Sequence, residues 1–361
     1  MKNSNRKTTV FVGMSGGVDS SVSAAILKDQ GYSVVGVYMK NWSGDDFGIQ
    51  PDCPWEEEMA DAEKVCKKLG IKFMSFNFEK EYRERVVKYF FKEYEKGRTP
   101  NPDVMCNREI KFDMFLKKSI EEGADIIATG HYAQIKENNG VYELHKGKDA
   151  NKDQTYFLYT LNQEQLSKSL FPIGHMEKSE VRKLAREYDL PNAEKKDSQG
   201  ICFIGEIDVR EFLRKVIKEK KGKIVDIDTR MEVGNHDGIM FYTIGQRHGL
   251  DIGGSEKPYF VVEKDEEMNT IFVAMGAEHP KLFRDSLVLE NVHLISGGKE
   301  DSLKNVQNLS AAIRYRNKPT QCVFEEGRIV KFKNKVRAIA PGQSLVFYDG
   351  EKCLGGGVIK L

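Results

Sequence analysis

Gly13-Met-Ser-Gly-Gly-Val-Asp-Ser20 lies between Thr8-Thr-Val-Phe-Val12 and Ser21-Val-Ser-Ala-Ala-Ile-Leu-Lys28. The β-branched and aromatic run before it predicts a buried parallel strand. The run after it predicts a helix that stops at Gly31. Strand, glycine turn and helix N-terminus is the geometry in which backbone N–H groups and the helix dipole converge on an anion. Gly16 and Gly17 let the backbone approach a phosphate with no Cβ in the way, and Ser15 and Ser20 add hydroxyl donors. The stretch is neither a Walker A loop, since no Gly-Lys-Ser/Thr follows, nor a G-x-G-x-x-G turn.

Tyr32-Ser-Val-Val-Gly-Val-Tyr-Met39 predicts a second apolar strand, so the chain opens on a βαβ unit and an α/β, doubly wound parallel sheet. Ligands lie at the carboxyl ends of such strands, which puts Met39 beside the phosphate site. Asn41 to Asp52 reads as a polar loop whose Asp45 and Asp46 either bind Mg²⁺ or are simply solvated, and Pro54 opens a helix. Cys53 marks the loop end, and Cys66 is packing on that helix. Ile71 to Phe78 alternates as a third strand, and Lys80 to Lys96 predicts an aromatic-striped helix ended by Gly97.

Arg98-Thr-Pro-Asn-Pro-Asp-Val-Met-Cys-Asn-Arg-Glu-Ile-Lys-Phe112 is stiffened by two prolines. A helix with Phe112, Phe115, Leu116 and Ile120 on one face follows. Cys106 is therefore expected at or just before a helix N-terminus, beside Arg108, where a thiolate is stabilised. A buried inert cysteine is the alternative. Ala124 to Tyr132 predicts another parallel strand ending in Gly130 and His131; the histidine either contacts a substrate or is a satisfied loop residue. A short strand is expected at Tyr142 to His145, and a helical segment begins in Lys152-Asp-Gln-Thr-Tyr-Phe-Leu158. Another helix carries Val181, Leu184 and Ala185 inward. Cys202, in Gly200-Ile-Cys-Phe-Ile-Gly205, reads by itself as core.

The 361 residues are enough for two or three domains. A net charge of +1 leaves a polyanionic partner to local basic patches. Six cysteines in so long a chain do not read as a secreted disulfide scaffold, and no signal peptide or long apolar run is visible. A soluble cytoplasmic monomer with no membrane association is expected. After Phe212 comes a basic run, Arg214 to Lys223, which is either a solvated helix face or a phosphate contact. Beyond it, strand-like segments recur at Ile239–Ile244, Tyr259–Val262, Thr270–Ala274, Ser286–Leu289, Ser310–Arg316, Gln321–Phe324, Ile329–Phe332, Lys335–Ala338 and Ser344–Tyr348. These predict a small, mostly-β central domain and a C-terminal β-barrel. The expected domains are 1–213, 214–283 and 284–361.

Ser15-Gly-Gly-Val-Asp-Ser20 resembles the PP-loop of ATP pyrophosphatases, which cleave ATP between the α and β phosphates. Taken with Asn101-Pro-Asp-Val-Met-Cys106, Ala128-Thr-Gly-His-Tyr132, Gly200-Ile-Cys-Phe-Ile-Gly205, Tyr242-Thr-Ile-Gly-Gln-Arg247 and Pro341-Gly-Gln343, the chain is similar almost end to end to the bacterial tRNA-specific 2-thiouridylases. Gln199 departs from the Thr or Ser more usual in that family. The resemblance implies ATP- and Mg²⁺-dependent replacement of the 2-oxygen of the wobble uridine (position 34) of tRNAs for Lys, Glu and Gln by sulfur, giving AMP, pyrophosphate and 2-thiouridine. A cysteine desulfurase or sulfur-relay protein would be the donor. By the same carry-over Cys202 carries the persulfide, Cys106 is its nucleophilic partner and Asp103 an acid or base. ATP is held by Gly13, Met14, Ser15, Gly16, Gly17, Val18, Asp19, Ser20, Met39 and Gly130. Asn101, Pro102 and Asp103 contact the target base, and His131 and Gln343 flank it. Lys152, Asp153, Gln154, Arg314 and Tyr315 contact the tRNA. No metal-binding residues are assigned. The rival readings are an amide-forming PP-loop ligase, a non-catalytic nucleotide-binding module, and an iron–sulfur site on Cys106, Cys202 and Asp103.

Overall fold

A computed structural model of the chain describes residues 7–44, 55–196, 202 and 208–360. Asp45, Asp46, Cys53, Pro54 and Gln199 lie outside the described residues. The fold begins as expected with β1 (Thr9–Met14), α1 (Val18–Asp29), β2 (Ser33–Lys40), α2 (Trp55–Leu69) and β3 (Lys72–Asn77). Residues 79–95 form α3 and residues 102–121 form α4, each a helix with a π-helical turn inside it, at Arg83–Val87 and Asn107–Met114. Then come β4 (Ile126–Ala128), the hairpin β5 (Ala133–Asn138) and β6 (Val141–Lys146), β7 (Ser169–Leu170) and α5 (Lys178–Glu187).

The first sheet is parallel, in the order β3-β2-β1-β4-β7. β1 is buried from Val10 onward because both faces are covered. Val22, Val65, Cys66, Val181 and Ala185 fill one side, from α1, α2 and α5. Tyr82, Phe90, Ile110 and Phe115 of α3 and α4 fill the other. The chain leaves β1 toward β2 on one side and returns as β4 on the other. The gap between the carboxyl ends of β1 and β4 is therefore the topological switch point, where such sheets bind ligands.

The second half is built of β-strands. α6 (Val209–Arg214) leads into β8 (Gly222–Asp226), β9 (Glu232–His236), β10 (Tyr259–Asp265) and β11 (Thr270–Met275), a four-stranded sheet ordered β10-β11-β8-β9. β12 (Phe283–Val288), β13 (His293–Leu294), β14 (Leu309–Ala312), β15 (Thr320–Glu325), β16 (Ile329–Arg337), β17 (Ser344–Asp349) and β18 (Lys352–Val358) follow. Phe212 of α6 seats the central module against the first, its ring 5.0 Å from Phe91 and 5.9 Å from Trp42. No helix among the described residues is long and apolar enough to cross a membrane.

Several local expectations change. Ile239–Ile244 is not a strand: Ile239–Phe241 is a 3₁₀ turn entered from Gly238, whose φ of +156° bends the chain. A short apolar run carries no period long enough to separate the two. Ile329–Phe332 and Lys335–Ala338 fuse into the single strand β16, whose partner β12 absorbs the irregularity in a register shift between Arg284 and Ser286. The basic run is not one helix face. Only Arg214 is helical, ion-paired with Glu219 and Asp237, while Lys223 lies on β8 against Glu232.

One pairing crosses the modules. Asn139 (φ +50°) and Gly140 (φ +81°) form the two-residue turn of the β5–β6 hairpin, both in the left-handed conformation that such turns require. β6 then pairs with β18, His145 opposite Lys352 and Leu144 opposite Cys353, so this hairpin of the first half extends the C-terminal sheet. Leu144 is fully buried there. Leu144→Ala should cost about 2–5 kcal/mol. Calorimetry should show the C-terminal module melting ahead of the parallel-sheet module, where the wild type melts in closer register.

Candidate active site

The glycine turn has the shape an anion needs. Gly16 takes φ +70°, and a Cβ on it would sit 2.5 Å from the Glu58 carbonyl oxygen, so only glycine fits. Gly17 is the N-cap of α1 and offers no side-chain cap, which leaves the first N–H groups of the helix open to a ligand. Ser20 Oγ donates to Gly17 O at 3.1 Å and lies 3.3 Å from Ser15 N, which sets the width of the loop. Met14 and Val18 are buried beneath it. Buried Asn192 braces it from below, its Nδ2 donating to Gly16 O at 2.8 Å and to Ser21 Oγ at 3.0 Å. Asp19 Oδ1 accepts from Lys178 Nζ at 2.7 Å and from the Tyr132 hydroxyl at 2.9 Å.

Asn192, Lys178 and Tyr132 have no role in the sequence reading. Tyr132 closes the Ala128-Thr-Gly-His-Tyr132 stretch, and the local signals of the other two are the Glu177–Glu180 capping box that starts α5 and the Leu190-Pro191 step that follows it. Gly130 is needed for a reason other than the one expected. A Cβ there would stand 2.7 Å from Ser20 N and 2.8 Å from the Asp19 carbonyl carbon, so the residue admits α1 itself. Met39 is buried, its Cε 3.1 Å from where a Cβ on Gly13 would lie; it walls the site from behind.

The proline loop folds into a helix sooner than expected. Asn101 Oδ1 accepts from Val104 N at 3.2 Å and Pro102 takes the first helical position, so α4 starts at Pro102. Cys106 is thus inside the helix and fully buried, not at its N-terminus. Burial pushes its thiol well above the usual range, the reverse of the stabilised thiolate expected there. The second sulfur lies beside it: Cys106 Sγ donates to Cys202 Sγ at 3.6 Å, and both cysteines are free. Cys202 is the one held below the usual thiol range, by the Cys106 donor and by the Lys111 ammonium against its own desolvation. The surroundings therefore make Cys202 the more acidic thiol of the pair and Cys106 the less acidic.

Asp103 completes this cluster. Its Oδ1 accepts from Cys202 N at 3.0 Å, and burial raises its carboxyl against that bond and the charge of Lys111. The Tyr82 hydroxyl donates to Cys202 O at 2.7 Å. His131 is buried between Phe112 and Phe171, each ring 5.8 Å away, with Thr129 Oγ1 2.7 Å from its Nδ1. Burial holds it well below its usual pKa, so it is neutral.

The remaining residues form a frame on the far side of the proline loop. Gln343 Nε2 donates to Thr99 O at 2.9 Å and Pro100 O at 3.0 Å, tying the barrel to the loop. Thr99 and Thr243 hydroxyls meet at 2.9 Å, tying in the central module. Arg314 Nη2 donates to Ala338 O at 2.7 Å and Ile244 O at 3.3 Å. Gln343, Arg314, Thr243 and Gln246 line a cavity of about 350 Å³ at this junction. The Tyr315 ring packs against that of Phe157, centroids 4.5 Å apart and planes tilted by 45°. Asp153 accepts from Gly147 N and Thr155 N, and Gln154 Oε1 from Tyr132 N at 2.9 Å, while Lys152 is half-buried beside them.

Known proteins share this architecture across the chain. Residues 8–206 match the tRNA methyl transferase HUP domain, 210–275 the tRNA methyl transferase PRC-barrel domain, and 284–359 the aminomethyltransferase beta-barrel domain. Over 356 residues the chain is 51% identical to the tRNA-specific 2-thiouridylase of Shouchella clausii, covering 98% of this chain and 96% of that protein. The corresponding enzyme of Alkaliphilus oremlandii is 50% identical over 367 residues, with 99% of each chain covered. That of Listeria monocytogenes is 49% identical over 364 residues, covering 99% of this chain and 96% of its own. With half of its residues shared over full length, the chain belongs to the tRNA-specific 2-thiouridylase family.

Proposed function

We propose that the protein transfers sulfur to C2 of the wobble uridine of tRNA, with ATP activating the departing oxygen. The observation that carries this reading is the pair of free thiols, 96 residues apart in sequence, facing each other at 3.6 Å. Methyl transfer, which two of the matched domain names mention, has no use for such a pair, and neither has an amide-forming ligase. Bound at the Gly13–Ser20 loop, ATP supplies the adenylyl group that turns a poor leaving oxygen into part of AMP. The loop fits it: a glycine at φ +70° and an uncapped helix start direct N–H groups at a phosphate. Among the described residues no group of three or more His, Cys, Asp or Glu side chains could hold a metal, and Mg²⁺ would arrive with the ATP phosphates.

Cys202 is the sulfur carrier in this reading, since the more acidic of the two thiols more readily supplies the thiolate that attacks a persulfide donor. Cys106 keeps its proton until a base takes it, and Asp103, its carboxyl raised by burial, is the nearby acid or base. Either the outer sulfur attacks C2 directly and Cys106 then attacks Cys202 Sγ, breaking its bond to the outer sulfur and leaving that sulfur on the base, or Cys106 first attacks Cys202 Sγ and displaces the outer sulfur as hydrosulfide, which then attacks C2. In both cases AMP leaves with the oxygen, a Cys106–Cys202 disulfide forms, and two electrons from a thiol reductant reopen it. Neutral His131 and the Asn101–Pro102 turn would form the wall against which a flipped base rests. Arg314, Tyr315, Lys152 and the three-module cavity would take the anticodon arm by shape and backbone. A desulfurase or relay protein, acceptors for Lys, Glu and Gln, a monomer in the cytoplasm, and module boundaries at 213/214 and 283/284 belong to the same proposal.

Incubation with ATP, Mg²⁺, a persulfide donor and unmodified tRNA should yield AMP, pyrophosphate and 2-thiouridine in equal amounts; ADP as the nucleotide product would overturn the loop assignment. Cys202→Ser should abolish sulfur loading, whereas Cys106→Ser should load sulfur and fail to pass it on, as read by mass spectrometry of the protein and nucleoside analysis of the tRNA. Full thiolation by either variant would exclude the two-thiol scheme.

A further inference from the structure

Asp153 and Gln154, expected to meet the tRNA, accept hydrogen bonds inside the protein. Gln154 takes both backbone groups of Tyr132: its N–H donates to Tyr132 O at 3.0 Å, and its Oε1 accepts from Tyr132 N at 2.9 Å. Tyr132 is buried and lies between β4 and β5, outside the strand ladders, so these groups need partners of this kind. Gly147 closes the seat, since a Cβ on it would stand 2.7 Å from Tyr132 O. Asp153 Oδ1 in turn accepts from Gly147 N at 3.1 Å.

What this seat holds is the Tyr132 hydroxyl, which donates to Asp19 Oδ1 at 2.9 Å. Asp19 stands in the first turn of α1, the helix that rises from the anion loop. An unrestrained carboxylate there would compete with a bound phosphate for the helix N-terminus and repel it. Asp19 Oδ1 is held by a second donor as well, Lys178 Nζ at 2.7 Å. The same turn reaches that donor: Asp149 Oδ2 accepts from Lys178 N at 3.1 Å. Residues 149–154 thus hold the backbones of both groups that restrain Asp19.

We propose that Tyr132 and Gln154 are positioning residues for the ATP step: Gln154 seats Tyr132, and the Tyr132 hydroxyl restrains Asp19 so that its charge is not set against the bound phosphates. The inference rests on reading the Gly13–Ser20 loop as the ATP site. A Gln154 that served the tRNA alone would leave nucleotide affinity unchanged, in the absence of RNA, when its side chain is removed. One that only stabilised the fold would lower the melting temperature and nothing else.

The test is binding of α,β-methylene-ATP, which cannot be cleaved at the α–β bond, to the full-length protein with Mg²⁺ and no tRNA, read by isothermal titration calorimetry. Tyr132→Phe removes one hydrogen bond to a charged group and should weaken binding about tenfold. Gln154→Ala should weaken it in the same direction. Because both act through one contact, the double variant should resemble the weaker single variant and not the product of the two. Gln154→Glu keeps an acceptor oxygen for Tyr132 N and should recover most of the affinity, although its charge would repel RNA. Unchanged affinity in Tyr132→Phe or in Gln154→Ala overturns the proposal, as does a Glu variant as weak as the Ala variant. Tyr132→Phe keeps the ring and the backbone contacts, so it decides the matter even if Gln154→Ala does not fold. Failure of the wild type to bind the analogue counts against the ATP-site reading; binding with unmoved variants counts against the positioning role alone.

Discussion

The 3.0 Å hydrogen bond from the Cys202 backbone N–H to Asp103 Oδ1 makes one site of two distant segments. Asp103 is placed by the Asn101 cap and the Pro102 start of α4, and that helix also carries Cys106 and Lys111. Once Asp103 holds the Cys202 backbone, the two sulfurs meet at 3.6 Å, Cys106 donating to Cys202. An α-helix between parallel strands runs antiparallel to them, so the start of α4 lies at the carboxyl edge of the sheet with the glycine turn. A Cβ on Gly13 would lie 3.1 Å from Met39 Cε and 3.5 Å from Phe115 Cε1, so the anion loop and the helix that carries Cys106 are close neighbours.

The electrostatics of the pair follow from depth more than from the helix dipole. Cys106 is fully buried in a cluster of aliphatic and aromatic side chains, and its charged form is disfavoured there. Cys202 is less enclosed, receives the Cys106 donor and faces the Lys111 ammonium. The difference assigns distinct tasks to two residues of one chemical type. It resembles the way two carboxylates in one enzyme are driven apart by their environments.

The β modules contribute through the proline loop. Gln343 holds the Thr99 and Pro100 carbonyls, and Thr243 holds the Thr99 hydroxyl, so barrel and central module both bear on the segment that begins α4. The β6–β18 pairing adds a second tie on another side. Both modules are thus hydrogen-bonded to Thr99 or Pro100, the residues immediately before the Asn101 cap.

Much of this was legible in the residues. The β-branched run before Gly13, the good helix after Ser20 and the second apolar strand to Met39 specify a βαβ unit by local pattern, because strand and helix periods differ and glycine marks the turn between them. Cys106 was singled out by its proline loop and expected helix start, whereas Cys202 was legible only by family likeness, since nothing local to it distinguishes it from core. Tertiary structure decided the rest. It alone brings Cys202 to Asp103, Lys178 to Asp19 and Asn192 beneath Gly16, because such contacts span 99 to 176 residues and leave no periodic trace. It also reversed the acidity expected of Cys106, because burial, a property of the whole packed helix, outweighs the local dipole. The sequence by itself determined the anion loop and the sheet that presents it; the packed chain decided which of the two thiols is the more acidic.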